Sequence, residues 1–222
     1  TVAGDDVINI AEHGQAQIIS GTATGAAAGD KVTVTIGGQT YTTVLDAAGN
    51  WSVGVPASVI SGLSDGTVTV TASVTDAAGN TGTGSHNVAV DTGLPSVGFN
   101  TLSGDNVLNA VEKGQDLSVS GTSANLAEGT VVTVTLNGKD YTAMLDASGS
   151  WSVGVPAADV GALVNGDQTI SATLTDKAGN STTATHEFDV SLTAPVIAIN
   201  TLAADDVINA TEKGQDLLVS GT

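Results

Sequence analysis

The chain has no cysteine, so no disulfide can brace it and a metal ion is left as the available cross-link. Basic residues are nearly as scarce. Five Lys and Arg stand against 23 Asp and Glu, for a formal charge of −18. Phosphate contacts need Lys and Arg, so nucleic acid and anionic membranes are excluded as partners, whereas cations are attracted. Aromatic residues are 3% of the chain against 41% hydrophobic residues, so the core must be assembled from Val, Ile, Leu and Ala. Only four prolines occur beside 28 glycines, which makes the turns frequent and mostly glycine-built. No apolar run approaches the roughly 18 residues of a membrane span, and no signal peptide opens the chain. It is expected to be a piece of a longer protein whose targeting signals lie elsewhere. Acidic excess can also mean disorder, but regular apolar alternation runs throughout this chain.

What is present is a repeat. Gly4-Asp5-Asp6-Val7-Ile8-Asn9 returns as Gly104-Asp105-Asn106-Val107-Leu108-Asn109 and again as Ala204-Asp205-Asp206-Val207-Ile208-Asn209, at a spacing of 100 residues. Trp51-Ser52-Val53-Gly54-Val55-Pro56 and Trp151-Ser152-Val153-Gly154-Val155-Pro156 keep the same register. A period this long means whole domains on a string, since solenoid units repeat at roughly 20–50 residues.

Alternation places seven strands in one period. For the second repeat they are Ser96–Asn100 (A), Asp116–Gly121 (B), Val131–Leu136 (C), Tyr141–Leu145 (D), Trp151–Val155 (E), Gln168–Thr175 (F) and Thr182–Val190 (G). A long acidic segment, 101–115, joins A to B. Short strands broken by Gly and Asn turns predict an all-β fold of antiparallel sandwiches, head to tail. The expected division is 1–92, a repeat lacking its first strand; 93–192, a complete repeat; and 193–222, the first strands of a third. The last segment holds too little apolar surface to fold alone.

Up-and-down threading puts the A–B segment and the end of strand G at one pole, and the D–E and F–G turns at the other. Head-to-tail stacking then sets Asp5, Asp6, Glu12 and Asp91 of repeat 1 against Asp146 and Asp176 of repeat 2. Two carboxylates about 4 Å apart repel by roughly 4 kcal/mol at an effective dielectric of 20, so a cation between them is favoured. Calcium takes six to eight oxygens in irregular geometry, whereas zinc would ask for Cys or His. Candidate ligands are therefore Asp5, Asp6, Glu12, Asp46, Asp76 and Asp91, with Asp105, Glu112, Asp146, Asp176, Asp205 and Asp206 as their counterparts. For Asp46 and Asp76 a second reading stays open, because Asp-x-x-Gly-Asn is a good turn sequence without any metal. Trp51 and Trp151 alternate with valines and are read as core residues.

These motifs resemble the bacterial immunoglobulin-like (Ig-like) repeats of giant type I-secreted, RTX-type adhesins, the class that includes the enterobacterial biofilm-associated protein. The resemblance rests on Gly-Asp-Asp-Val-Ile-Asn, on Leu-Asp-Ala-Ala-Gly-Asn-Trp-Ser-Val and on Thr-Asp-Ala-Ala-Gly-Asn, and it spans essentially the whole chain. It implies a secreted, cell-surface stalk whose repeats bind Ca2+ at their junctions. Its partners would be neighbouring repeats, with host or biofilm surface ligands reached through other domains. Asn106 and Ser191 depart from the acidic pattern set by Asp6 and Asp91. The alternative function is a module that binds glycan or protein through pole loops, for which aromatic residues on loops would be the mark. No motif of nucleophilic or phosphate chemistry is present, and the chain is not expected to be an enzyme.

Overall fold

The computed structural model describes residues 1–124 and 126–222. Repeat 1 contains β1 (Val7–Asn9), β2 (Gln17–Thr22), β3 (Lys31–Ile36), β4 (Gln39–Val44), β5 (Asn50–Val55), β6 (Gly66–Thr75) and β7 (Thr81–Asp91). Repeat 2 contains β8 (Ser96–Phe99), β9 (Val107–Asn109), β10 (Leu117–Ala124), β11 (Val131–Leu136), β12 (Lys139–Met144), β13 (Ser150–Val155), β14 (Gly166–Thr175) and β15 (Ser181–Ser191). Among the described residues, helix is confined to single turns.

In each repeat one face is a five-stranded sheet, ordered β1-β7-β6-β3-β4 and β12-β11-β14-β15-β9. The opposing face is β13-β10-β8 in repeat 2 and β2-β5 in repeat 1. The antiparallel pairing follows from the sequence. In β11, Val132, Val134 and Leu136 alternate inward and are buried, while the residues between them are not. Burying each such side chain contributes about 1.5–3 kcal/mol. Asn137 and Gly138 both take positive φ, 49° and 75°, which gives the two-residue turn that sets Leu136 opposite Lys139.

The expected strands A to G all form, with shifted ends: B runs on to Ala124, and D begins at Lys139 and ends at Met144. A feature not expected is β9, which pairs parallel with β15 through Val107–Asp189, Leu108–Val190 and Asn109–Ser191. The same pairing joins β1 to β7. The acidic segment is thus partly a strand, whose central residues Ile8 and Leu108 are buried.

Each repeat has its own core. That of repeat 2 gathers Leu108, Val119, Val134, Leu145, Trp151, Ile170, Leu174 and Val190. Repeat 1 is built from Ile8, Ile19, Val34, Ile36, Val55, Ile60 and Val90. Beside Trp51 lies an open groove of about 430 Å³, lined by Val2, Ile19, Val70, Ala72 and His86 among others. In repeat 2, Phe99 of β8 packs beside both Trp151 and His186, the counterparts of Trp51 and His86. Residues 193–222 are almost entirely exposed, including Val196, Ile197 and Leu218. Ile199 bridges Gly221, which repeats the Phe99–Gly121 register of repeat 2. No helix among the described residues is long and apolar enough to cross a membrane.

Candidate functional site

The two repeats meet where the turn joining β14 to β15 reaches the far pole of repeat 1. Its centre is Asn180, only 1% exposed. The side-chain Nδ2 donates to the Asp91 carbonyl at 2.9 Å, and Oδ1 accepts from the Ile10 N–H at 2.8 Å. Both groups belong to repeat 1, so one amide closes a donor and an acceptor across the junction. Asp176 holds that amide in place. Its Oδ1 accepts from the N–H groups of Ala178 and Asn180, and its Oδ2 accepts from Asn180 Nδ2 at 3.0 Å. Ala178 is buried as well, whereas its counterpart Ala78 is exposed. The structure therefore brings the Asp176 turn against Asp91 and the residue following Asn9, on the side where threading placed it.

The remaining candidate ligands sit in local turns and caps. Asp5 accepts from the Val7 N–H, and Asp105 and Asp205 do the same for Val107 and Val207. Glu12, Glu112 and Glu212 each accept from the backbone N–H of the Asn three residues earlier. That Asn in turn accepts from the Glu backbone, which makes a reciprocal cap. Asp91 accepts from the Gly93 N–H. Asp46, Asp76 and Asp146 each accept from the N–H groups two and four residues ahead. Their carboxyls lie below the ordinary carboxylate range. The leading cause is the Asn50 backbone N–H for Asp46, the Asn80 side chain for Asp76 and the Ser148 hydroxyl for Asp146.

Asp6 turns into its own repeat. Its Oδ1 accepts from the Val2 N–H at 2.7 Å and faces His86 Nε2 at 2.8 Å, and these two contacts, the backbone one foremost, depress its pKa. Asn106 takes the same role, with its Oδ1 on the Leu102 N–H and on His186 Nε2, each at 2.8 Å. Asp6, Asn106 and Asp206 share a positive φ near 65°, a region that Asp and Asn tolerate better than other side-chain-bearing residues. The position thus asks for an acceptor oxygen and a left-handed backbone, and Asn meets both demands.

Calcium would need six to eight oxygens around one point. Among the described residues, no group of three or more His, Asp or Glu side chains gathers closely enough to hold a metal ion. The carboxylates as folded do not make a cage, and the junction itself is closed by an amide. Asn180 is the junction residue that sequence reasoning passed over. The threading contained a signal for it, since the F–G turn had already been assigned to the junction.

The profile of the bacterial Ig-like domain matches residues 9–92 and 101–192. No curated protein sequence matches significantly. Among solved structures, one similar chain is described as a Ca2+-stabilized adhesin that helps an Antarctic bacterium reach out and bind ice. It is 38% identical over 100% of this chain and 57% of its own length, with a TM-score of 0.56. A 1.5-MDa bacterial ice-binding adhesin, studied for host cell surface retention, is 35% identical over 100% of this chain and 73% of that one, with a TM-score of 0.54. A bacterial Ig-like domain of the M. primoryensis ice-binding adhesin is 35% identical over 46% of this chain and 97% of its own, with a TM-score of 0.34. The chain thus spans little more than half of the first of these relatives.

Proposed function

The chain belongs to the bacterial Ig-like domain family, and from that premise we propose that it is an extender segment of a bacterial cell-surface adhesin. Its task is mechanical: to set the reach and direction of a stalk that carries adhesive domains away from the cell, in biofilm formation or attachment to a host or other surface. The observation that carries this reading is the junction, where Asn180 is buried between two repeats by contacts made to each of them. Two beads on a loose string would have no use for such a residue. The aromatic residues support the same conclusion. All six lie on strands, namely Tyr41, Trp51, Phe99, Tyr141, Trp151 and Phe188, so the pole loops carry none of the rings that a glycan-binding loop would use.

Calcium belongs to the finer part of this reading. Its support is the net charge of −18 and the relative described as Ca2+-stabilized. Asp5, Glu12 and Asp91 stand at the junction pole of repeat 1, and each gives one oxygen to a local N–H. Extracellular calcium modules bind in the 10⁻⁴–10⁻³ M range, and a ligand at about ten times its dissociation constant stabilises by roughly 1.4 kcal/mol per site.

The test is small-angle scattering of the 222-residue chain in millimolar calcium and in chelator. The expected result is an elongated particle with its two repeats end to end, and a narrower spread of interdomain distances with calcium. A compact particle with the repeats side by side would overturn the extender reading. Identical profiles in calcium and chelator would remove calcium from it.

A further inference from the structure

We propose that the Asn closing each F–G turn is a docking residue that seats a repeat on its predecessor by reading two backbone groups, and that Asn80 offers the same contact to another repeat of this kind. The inference rests on the extender reading for its biological sense, but its physical content is separate. It assigns the junction geometry to an amide that works without metal.

The contact is selective for chemistry and indifferent to side chains. An amide is needed because one group must donate to the Asp91 carbonyl while accepting from the Ile10 N–H. A carboxylate could not donate, and a hydroxyl would not span both groups. The partner positions vary freely. Ile10 corresponds to Ala110 and Ala210, and Asp91 corresponds to Ser191, and each of these carries the same backbone N–H or carbonyl whatever its side chain. A contact of this kind would not depend on the acid that Ser191 lacks. Burial makes the contact strict, because an Asn180 turned away from its partners would leave a buried amide unsatisfied.

Asn80 holds the same internal geometry, donating its backbone N–H and its Nδ2 to the Asp76 carboxylate, and it is exposed. At the other end of the two-repeat unit, Ala110 and Ser191 are exposed at the positions that Ile10 and Asp91 occupy in repeat 1. One pole presents the docking residue and the opposite pole its receptor. The occupant that fits Asn80 is a preceding repeat of the same family, placed as repeat 1 is placed on repeat 2.

The readout is hydrogen exchange at single amides, followed by NMR on the whole chain in chelator. The Ile10 N–H should be protected in the parent chain. In Asn180→Ala its exchange should accelerate by about tenfold or more, because the local opening free energy falls. Asn80→Ala removes the same turn bond at the free pole and should leave Ile10 unchanged. Unaltered Ile10 exchange in Asn180→Ala would overturn the proposal. So would equal acceleration in both variants, which would mark a general loosening. A chain lengthened by a second copy of residues 101–200 ahead of Thr1 keeps the 100-residue register. There, Asn80→Ala should deprotect the Ala110 amide of the added copy, and failure to do so would refute the assignment of Asn80. These amide measurements stay informative if scattering rejects the extender reading, since protection of Ile10 needs only the contact.

Discussion

Phe99 stands edge-on to Trp151, with ring centroids 5.5 Å apart and planes at 79°. This pair seals one side of the core of repeat 2, and Trp151 is 3% exposed as a result. Trp51 has the open groove in place of such a partner. Phe99→Ala should therefore destabilise repeat 2 by about 2–3 kcal/mol, through lost burial and a lost aromatic pair. Trp fluorescence separates the two sites. In Trp51→Phe the remaining emission should be blue-shifted, and adding Phe99→Ala should move it to the red. In Trp151→Phe the emission should already be redder and insensitive to Phe99.

A second consequence concerns the glycines that face these rings. A Cβ at Gly121 would lie 1.9 Å from the Gly98 carbonyl oxygen and 2.5 Å from the Trp151 ring. At Gly21 its three nearest neighbours would all be atoms of the Trp51 side chain, the first at 2.6 Å. Backbone cannot step aside as a half-buried ring can. Gly121→Ala should cost about 3 kcal/mol or more and Gly21→Ala clearly less. Urea unfolding of the two variants, followed by the Trp of the affected repeat, gives the comparison.

The turn aspartates set an acid limit. Asp6, Asp46, Asp76 and Asp146 all have folded-state pKa values below the ordinary 3.8. A carboxyl depressed by folding adds stability above its unfolded pKa and loses it as pH falls through the folded value. Denaturant midpoints should thus hold steady from neutral pH to about pH 5 and decline below about pH 4. The combined Asp46→Asn, Asp76→Asn and Asp146→Asn variant should start less stable but show a shallower decline, because Asn keeps the Oδ1 acceptor for the turn N–H groups, gives up the second oxygen and does not titrate. An equally steep decline in that variant would place the acid-labile groups elsewhere.

Much of this fold was legible because its strands alternate and its turns are spelled out. Val132-Thr133-Val134-Thr135-Leu136 can face the core in only one way, and Asn137-Gly138 fixes the register that follows. The strand Val107–Asn109 was harder to see. It is three residues long, pairs parallel with a distant segment and lies within an acidic stretch. The acids were legible as residues of special position, and the structure shows the local demand behind that: a positive φ at Asp6, and a reciprocal cap between Asn9 and Glu12. Asn180 could not be told from Asn80 by spacing, because their turns are nearly identical in sequence. Only the neighbour that covers one and not the other separates them.

The parallel pairing of β9 with β15 bears on how a repeat would carry load. A pull applied through such a chain drags the start of the repeat one way and its end the other. Because β9 and β15 run side by side in the same direction, that pull slides one along the other. Their hydrogen bonds are then strained together in shear, and they do not open one at a time like a zipper. Leu108 and Val190, buried and opposite each other, would have to leave the core in the same event. A strand of only three residues thus stands where a pull along the chain meets paired backbone in shear.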